Sequence, residues 1–283
     1  MANSDAALSY CGQEVRKYDN DRFLTCLFAP ADRREALFAL HAFNLEIAKT
    51  REVVSEPVLG QIRLQWWHDS IGELYDGASR RHEVLLPLGE AIRRFDLTRG
   101  HFETLIDGRE TDLMDEAPAD KTCLTSYAEV TSAPLARLAL EILGVRDPAA
   151  HTAARHVGIA WALTGLLRAV PFHARGHRLY LPKDVLGKHG VSEQSLFDLK
   201  PPEQLKAVVA EVAAMARTHL EEARALRPRV PRAAHPALLT ASLTDTYLKV
   251  IAKAGNDVFA PRVQMPNPFR QAVLAWRAMT GRY

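Results

Sequence analysis

Two carboxylates four residues apart on a helix point the same way, and two such pairs facing each other could trap Mg²⁺ against a diphosphate. The places where such pairs would fall in this chain are positions 48 with 52 and 169 with 173. They hold Ala48 with Glu52, and Ala169 with His173. Asp112, Asp115 and Glu116 imitate an Asp-x-x-Asp-Glu metal motif, although a solvated helix end is the commoner reading of such a run. His173 and His177 have the spacing of metal ligands, yet Pro171 and Gly176 interrupt the helix that would aim them, which favours solvated or hydrogen-bonded rings. Trp66 and Trp67 could stack on a ligand; at helical spacing one ring in the core and one at its margin is the expectation.

The elements that must position these residues are helices. Nearly every periodic segment has apolar residues at intervals of three and four, and alternating β-branched runs are scarce. A short helix is expected over about 9–18. A longer one opens at Pro30 and Asp32 and is expected to run to about Val53. The next, after Pro57, carries Ile62, Trp66 and Leu74 on an apolar stripe and ends near Gly77. Helices follow at about 83–95, 100–115 and 121–144, the last kinked or broken at Pro134. The clearest amphipathic helix bears His156, Ile159, Ala160, Leu163, Leu166, Leu167 and Val170, and Pro171 is expected to end it before position 173. Turns over 183–202 and helices at about 203–226, 236–253 and 268–279 complete the chain. The Arg-Pro-Arg-Val-Pro-Arg run at 227–232 reads as a loop inside one domain, with weak attraction to anionic lipid as its functional alternative.

At 283 residues with 47% hydrophobic and 25% charged residues, the chain can bury a sizeable core. A net charge of +2 gives no global field, so nucleic acid is not an expected partner. Cys11, Cys26 and Cys123 lie far apart, without the spacing of a disulfide framework or a zinc site. The first residues show no basic n-region ahead of an apolar core, and no uninterrupted apolar run reaches about 18 residues. The expected location is therefore cytoplasmic, peripheral at most on the inner face of a membrane, with no signal or transit peptide. The basic amphipathic tail Phe269–Met279 would either rest on that membrane or pack on the bundle.

The chain resembles the squalene/phytoene synthase family over nearly its whole length. The resemblance is carried by Arg22-Phe23, Arg34-x-x-Leu37-x-Ala39-Leu40-x-Ala42-Phe43, Asp107-Gly-x-x-x-Asp112-Leu113 with Tyr127, Leu167-Arg168 and Arg178-Leu-Tyr-Leu-Pro182. It implies a single all-α domain over residues 1–283, a helical bundle of the isoprenoid synthase type with a central cavity. Family members condense two prenyl diphosphates with Mg²⁺ held by two aspartate-rich motifs. Those aspartates would fall on Ala48, Lys49 and Glu52, and on Ala169 and His173, so one carboxylate remains in five places. A diphosphate-contacting arginine would fall on Leu45 and an asparagine on Gly165; Arg168 keeps the expected type.

A narrower resemblance lies with the aspartate-poor branch that includes the mitochondrial complex I assembly factor 6. It rests on Ala42-Phe-Asn-Leu-Glu-Ile-Ala48, Val54-Ser-Glu-Pro57, Ile62-Arg-Leu-Gln-Trp-Trp67, Leu140-Glu-Ile-Leu-Gly144 and Leu167-Arg-Ala-Val-Pro-Phe-His173. This implies a non-catalytic protein of complex I biogenesis, or a binder of an isoprenoid-like lipid. Its partners would be respiratory complex subunits or assembly factors, and Glu52, Asp112, Arg168, His173 and Tyr180 would line a vestigial cavity. The alternative is an active prenyl-diphosphate transferase in which Glu52, Asp112 and Arg168 converge, and Mg²⁺ enters only there. A scaffold whose cavity is filled by side chains is the third reading.

Overall fold

The computed structural model describes residues 8–78 and 80–283. Residues 1–7, on which much of the expectation about a targeting segment rests, lie outside them. The first two helices, α1 (Tyr10–Tyr18) and α2 (Asn20–Cys26), each begin on a side chain that accepts a backbone N–H: Ser9 from Gly12 at 3.1 Å and Asp19 from Arg22 at 3.2 Å. With seven residues, α2 is too short for its periodicity to announce it. Then come α3 (Ala31–Ala48) and α4 (Thr50–Val53). The expected single helix to Val53 is interrupted at Lys49, and the restart buries Thr50 while leaving Glu52 and Val53 in solvent.

In α5 (Pro57–Tyr75) the buried stripe is Gly60, Leu64, Trp67, Ile71 and Leu74, so Ile62 stands 62% exposed rather than facing the core as its spacing suggested. Trp67 is buried and Trp66 sits at the core margin, as expected. After α6 (Leu85–Phe95) and α7 (Arg99–Gly108), the chain tightens into a 3-10 turn, Arg109–Leu113.

The middle of the molecule is built by α8 (Lys121–Ile142) and α9 (Pro148–Arg175), capped by Asp120 and Asp147. Neither inner proline breaks its helix. Pro134 and Pro171 each remove one backbone donor, but both are buried, and the helices continue through them. Around Pro171, Leu167, Val170 and Ala174 are all at most 2% exposed, and this packing outweighs one lost hydrogen bond. Position 173 therefore does lie one turn beyond 169 on a continuous helix, against expectation. Where α8 crosses α9, a Cβ on Gly158 would come within 2.9 Å of Ala133 Cα, so only glycine allows the two backbones to approach this closely.

The remainder comprises α10 (Lys183–Lys188), α11 (Glu193–Phe197), α12 (Leu205–Ala225), α13 (His235–Leu238), α14 (Thr240–Lys253), α15 (Pro261–Gln264) and α16 (Arg270–Thr280). By length and composition α9 alone of the described helices could cross a membrane, but it packs against α8, α12 and α14 and reads as the core helix. The main core runs from Cys11 to Tyr283. A smaller cluster of Leu24, Leu239, Leu243, Tyr247 and Leu274 seats the inner face of α16, which Arg270 ties to Asp21 at 3.4 Å and to Asn20 at 2.6 Å. The outer face leaves Phe269, Trp276 and Met279 exposed. In the basic run, Arg227 joins Arg224 in donating to the Tyr283 carbonyl, so part of it is structural.

Candidate functional site

Two clefts flank the C-terminal end of α3. The inner one, about 250 Å³, is walled by Arg22, Asn44, Arg109, Tyr127, Trp161, Gly165, Ala169 and His173, among others. It presents two guanidinium groups, and none of the described residues lining it is a carboxylate. Asn44 Oδ1, Ser132 Oγ, His173 Nδ1 and Arg109 Nε along its walls are buried without a protein partner. Buried polar atoms of this kind are normally satisfied by water or ligand, so the cleft suits a polar or anionic group. The outer cleft, about 430 Å³, is lined by Glu14, Tyr18, Leu45, Ala48, Lys49, Glu52 and Val53.

Asp112 anchors the polar wall of the inner cleft. The 3-10 turn delivers it, 7% exposed, beneath Tyr127 from α8 and Tyr180 from the segment after α9. Tyr127 donates to Asp112 Oδ1 at 2.6 Å and Tyr180 to the same oxygen at 2.7 Å, while Arg109 Nη1 lies 3.4 Å from Oδ2. Burial, with the Asp112 charge adding to it, pushes both tyrosine hydroxyls well above their ordinary pKa and keeps them as donors. The His173 ring rests on Tyr180 with centroids 4.7 Å apart. His173 is thus packed into the wall, whereas His177 is exposed, so the two do not form a ligand pair. Asp115 and Glu116 are exposed, and Asp115 is held by Arg51 at 2.6 and 3.0 Å.

Burial, and then the Arg178 charge, lowers the His173 pKa from 6.5 to about 4. The unfolded chain then binds the extra proton between those values, so stability falls as the pH drops through that window. We expect His173→Leu to flatten this acid limb by up to about 3 kcal/mol relative to the parent. Urea denaturation at neutral pH and near pH 4 measures it; parallel pH profiles for the two proteins would refute the assignment.

Glu52, Asp112 and Arg168 have separate surroundings. Glu52 is exposed in the outer cleft, Asp112 is engaged by two tyrosines and an arginine, and Arg168 stacks on the Tyr247 ring at 3.8 Å. Arg168 Nε also points to the Val263 carbonyl at 3.4 Å, bracing α9 against α14 and α15 rather than lining either cleft. Ala48 and Lys49 border the outer cleft and Ala169 the inner one. Lys49 is paired with the buried Glu46 at 2.5 Å, and Arg63 reaches the other Glu46 oxygen at 2.7 Å. A hard cation such as Mg²⁺ wants several oxygen ligands, which this donor set does not supply. Positions 45 and 165 hold no polar side chain, and a Cβ at Gly165 would meet only open space.

Arg109 and Glu46 are the polar residues that sequence spacing did not single out. Glu46 stands three residues before Lys49, a helical ion-pair spacing that is visible in hindsight. Arg109 stands three residues before Asp112, the same spacing, whereas its contact with Tyr127 on another helix has no local signal.

A family model described as squalene/phytoene synthase matches residues 15–268. The NADH dehydrogenase (ubiquinone) complex I, assembly factor 6 of Bos taurus is 36% identical over 271 residues, covering 95% of this chain and 81% of that protein. The presqualene diphosphate synthase of Rhodopseudomonas palustris is 30% identical over 204 residues, 72% of each chain. Among solved structures, a dehydrosqualene synthase in complex with ligand superposes with a TM-score of 0.83 at 20% identity, over 96% of this chain and 94% of that one.

Proposed function

The chain belongs to the squalene/phytoene synthase family, and on that footing we propose that it acts in respiratory complex I biogenesis as a non-catalytic, single-domain member that keeps the synthase pocket for binding. The observation that carries this reading is the inner cleft: two arginines and unpartnered polar atoms where metal carboxylates would be required, in a chain 36% identical to an assembly factor across 95% of its length. Ala48, Lys49, Ala169 and His173 supply no carboxylate, and Glu52 alone cannot hold a metal cluster. The ligand proposed for the clefts is an isoprenoid-like lipid, its anionic head beside Arg22 and Arg109. The exposed Phe269, Trp276 and Met279 of α16 support a peripheral seat on the inner face of a membrane.

Deleting the gene is expected to lower NADH:quinone oxidoreductase activity and its assembled complex in membranes; normal levels of both would overturn the biogenesis reading. Pure protein with Mg²⁺ and farnesyl or geranylgeranyl diphosphate is expected to release no diphosphate. Turnover there would instead favour the prenyltransferase reading, for which the presqualene diphosphate synthase relative is the supporting observation.

A further inference from the structure

Away from both clefts, three metal-ligating side chains converge in the seam between α9 and α12. His156 projects from α9, while His219 and Glu222 stand one turn apart on α12. The two Nδ1 atoms are 2.9 Å apart, and Glu222 Oε2 lies 2.8 Å from that of His156 and 3.4 Å from that of His219. We propose that His156, His219 and Glu222 form a binding site for one divalent transition ion of the zinc class, clipping α9 to α12.

The geometry is the first argument. Zinc bonds of about 2.0–2.2 Å to nitrogen and oxygen in a tetrahedral shell place neighbouring ligand atoms about 3.3–3.5 Å apart. The 3.4 Å separation falls in that range and the 2.9 and 2.8 Å separations are about half an ångström short of it, a gap that small side-chain rotations close. Ligand chemistry is the second. Two imidazoles with one carboxylate suit zinc and its neighbours in the transition series, whereas magnesium and calcium prefer all-oxygen shells. The 2.9 Å Nδ1–Nδ1 contact is satisfied by one proton between the rings in the metal-free protein; a divalent ion bound to both nitrogens would take its place, with the carboxylate as counter-charge.

The surroundings are the third argument. The side chains of His156 and His219 are only 14% and 16% exposed, which fixes both rings between two long packed helices. Glu222 is 50% exposed and leaves a solvent-facing position for a water as fourth ligand. Arg155, a cation close enough to act on His156, is taken up by Glu129 through contacts of 2.5 and 2.6 Å. None of the three ligands lines either cleft beside α3, so this site stands or falls separately from the proposed function.

The test is calorimetric titration of the untagged, chelator-treated full-length protein with Zn²⁺ alone, paired with the visible spectrum of the Co²⁺ form. One equivalent should bind, the Co²⁺ form should show the intense bands of a four-coordinate ion, and the melting temperature should rise. His156→Ala, His219→Ala and Glu222→Gln should each weaken binding at least about tenfold and abolish the thermal shift, with helix content by circular dichroism unchanged. Glu222→Gln, at a half-exposed position, guards against a folding artefact. Absence of binding up to about 100 µM Zn²⁺, which would leave a shared proton as the link between the rings, overturns the proposal. So does one-equivalent binding that all three variants leave unchanged.

Discussion

Asp112→Leu is expected to destabilise the protein by about 3–5 kcal/mol, the cost of removing one partner from a buried ion pair. The loss has two parts. Tyr127 and Tyr180 both donate to the same Asp112 oxygen and would be left as buried hydroxyls without an acceptor. Arg109, whose side chain is 13% exposed and whose Nε already lacks a partner, would keep its charge with no counter-ion. The expected fall in Tm is roughly 10 °C for a chain of this size. Adding Arg109→Met should restore part of the loss, because it removes the stranded charge along with its partner. Urea melts of the two single variants and the double variant measure the coupling. If Asp112→Leu melts with the parent, the cluster is not what holds the wall of the inner cleft.

The second large effect lies in the core. Trp67→Ala should cost about 3–5 kcal/mol, the usual range for deleting a fully buried large aromatic. Trp67 is 1% exposed and meets Phe43 edge to face at 5.6 Å, Trp66 at 5.0 Å and His82 at 5.3 Å. Phe43 in turn packs edge to face on Phe102 at 5.4 Å, so this aromatic stack knits α3, α5 and α7 together. Its Nε1 has no acceptor, which makes Trp67→Phe a useful contrast. That change keeps a ring and removes an unsatisfied donor, and its expected cost is about 1–2 kcal/mol. Denaturant midpoints decide the matter. A Trp67→Phe variant as unstable as Trp67→Ala would show that the indole's size, not the ring contacts, carries the packing.

Much of the fold is legible in local patterns. Periodicity of three and four announces the long helices, and α3 begins at Ala31, between the Pro30 and Asp32 that mark its start, although Asp32 makes no cap bond. The spread of motifs from Arg22 to Pro182 already carried the family resemblance, and the family model matches residues 15–268. Two misreadings fall inside long, continuous helices. In α5 a one-residue shift of the apolar stripe exposes Ile62, because Val58, Leu59, Ile62 and Trp66 are as apolar as the residues that face the core. Pro171 reads as a helix stop from its missing donor, yet burial on both sides carries the helix to Arg175.

The candidate site divides in the same way. Residue identity alone determines that positions 48, 49, 169 and 173 hold Ala, Lys, Ala and His, and so which carboxylates those places cannot offer. Tertiary structure decides what the remaining charges do. It turns Arg168 onto Tyr247, neutralises Lys49 with Glu46 and spends Asp112 on two tyrosines and Arg109. It also brings His156 to His219 and Glu222 across 63 and 66 residues of chain. The physical reason is range. Helical periodicity and capping act over a few residues and are written in order along the chain. Pairing between side chains on different helices depends on which faces meet, and that is fixed only when the core packs.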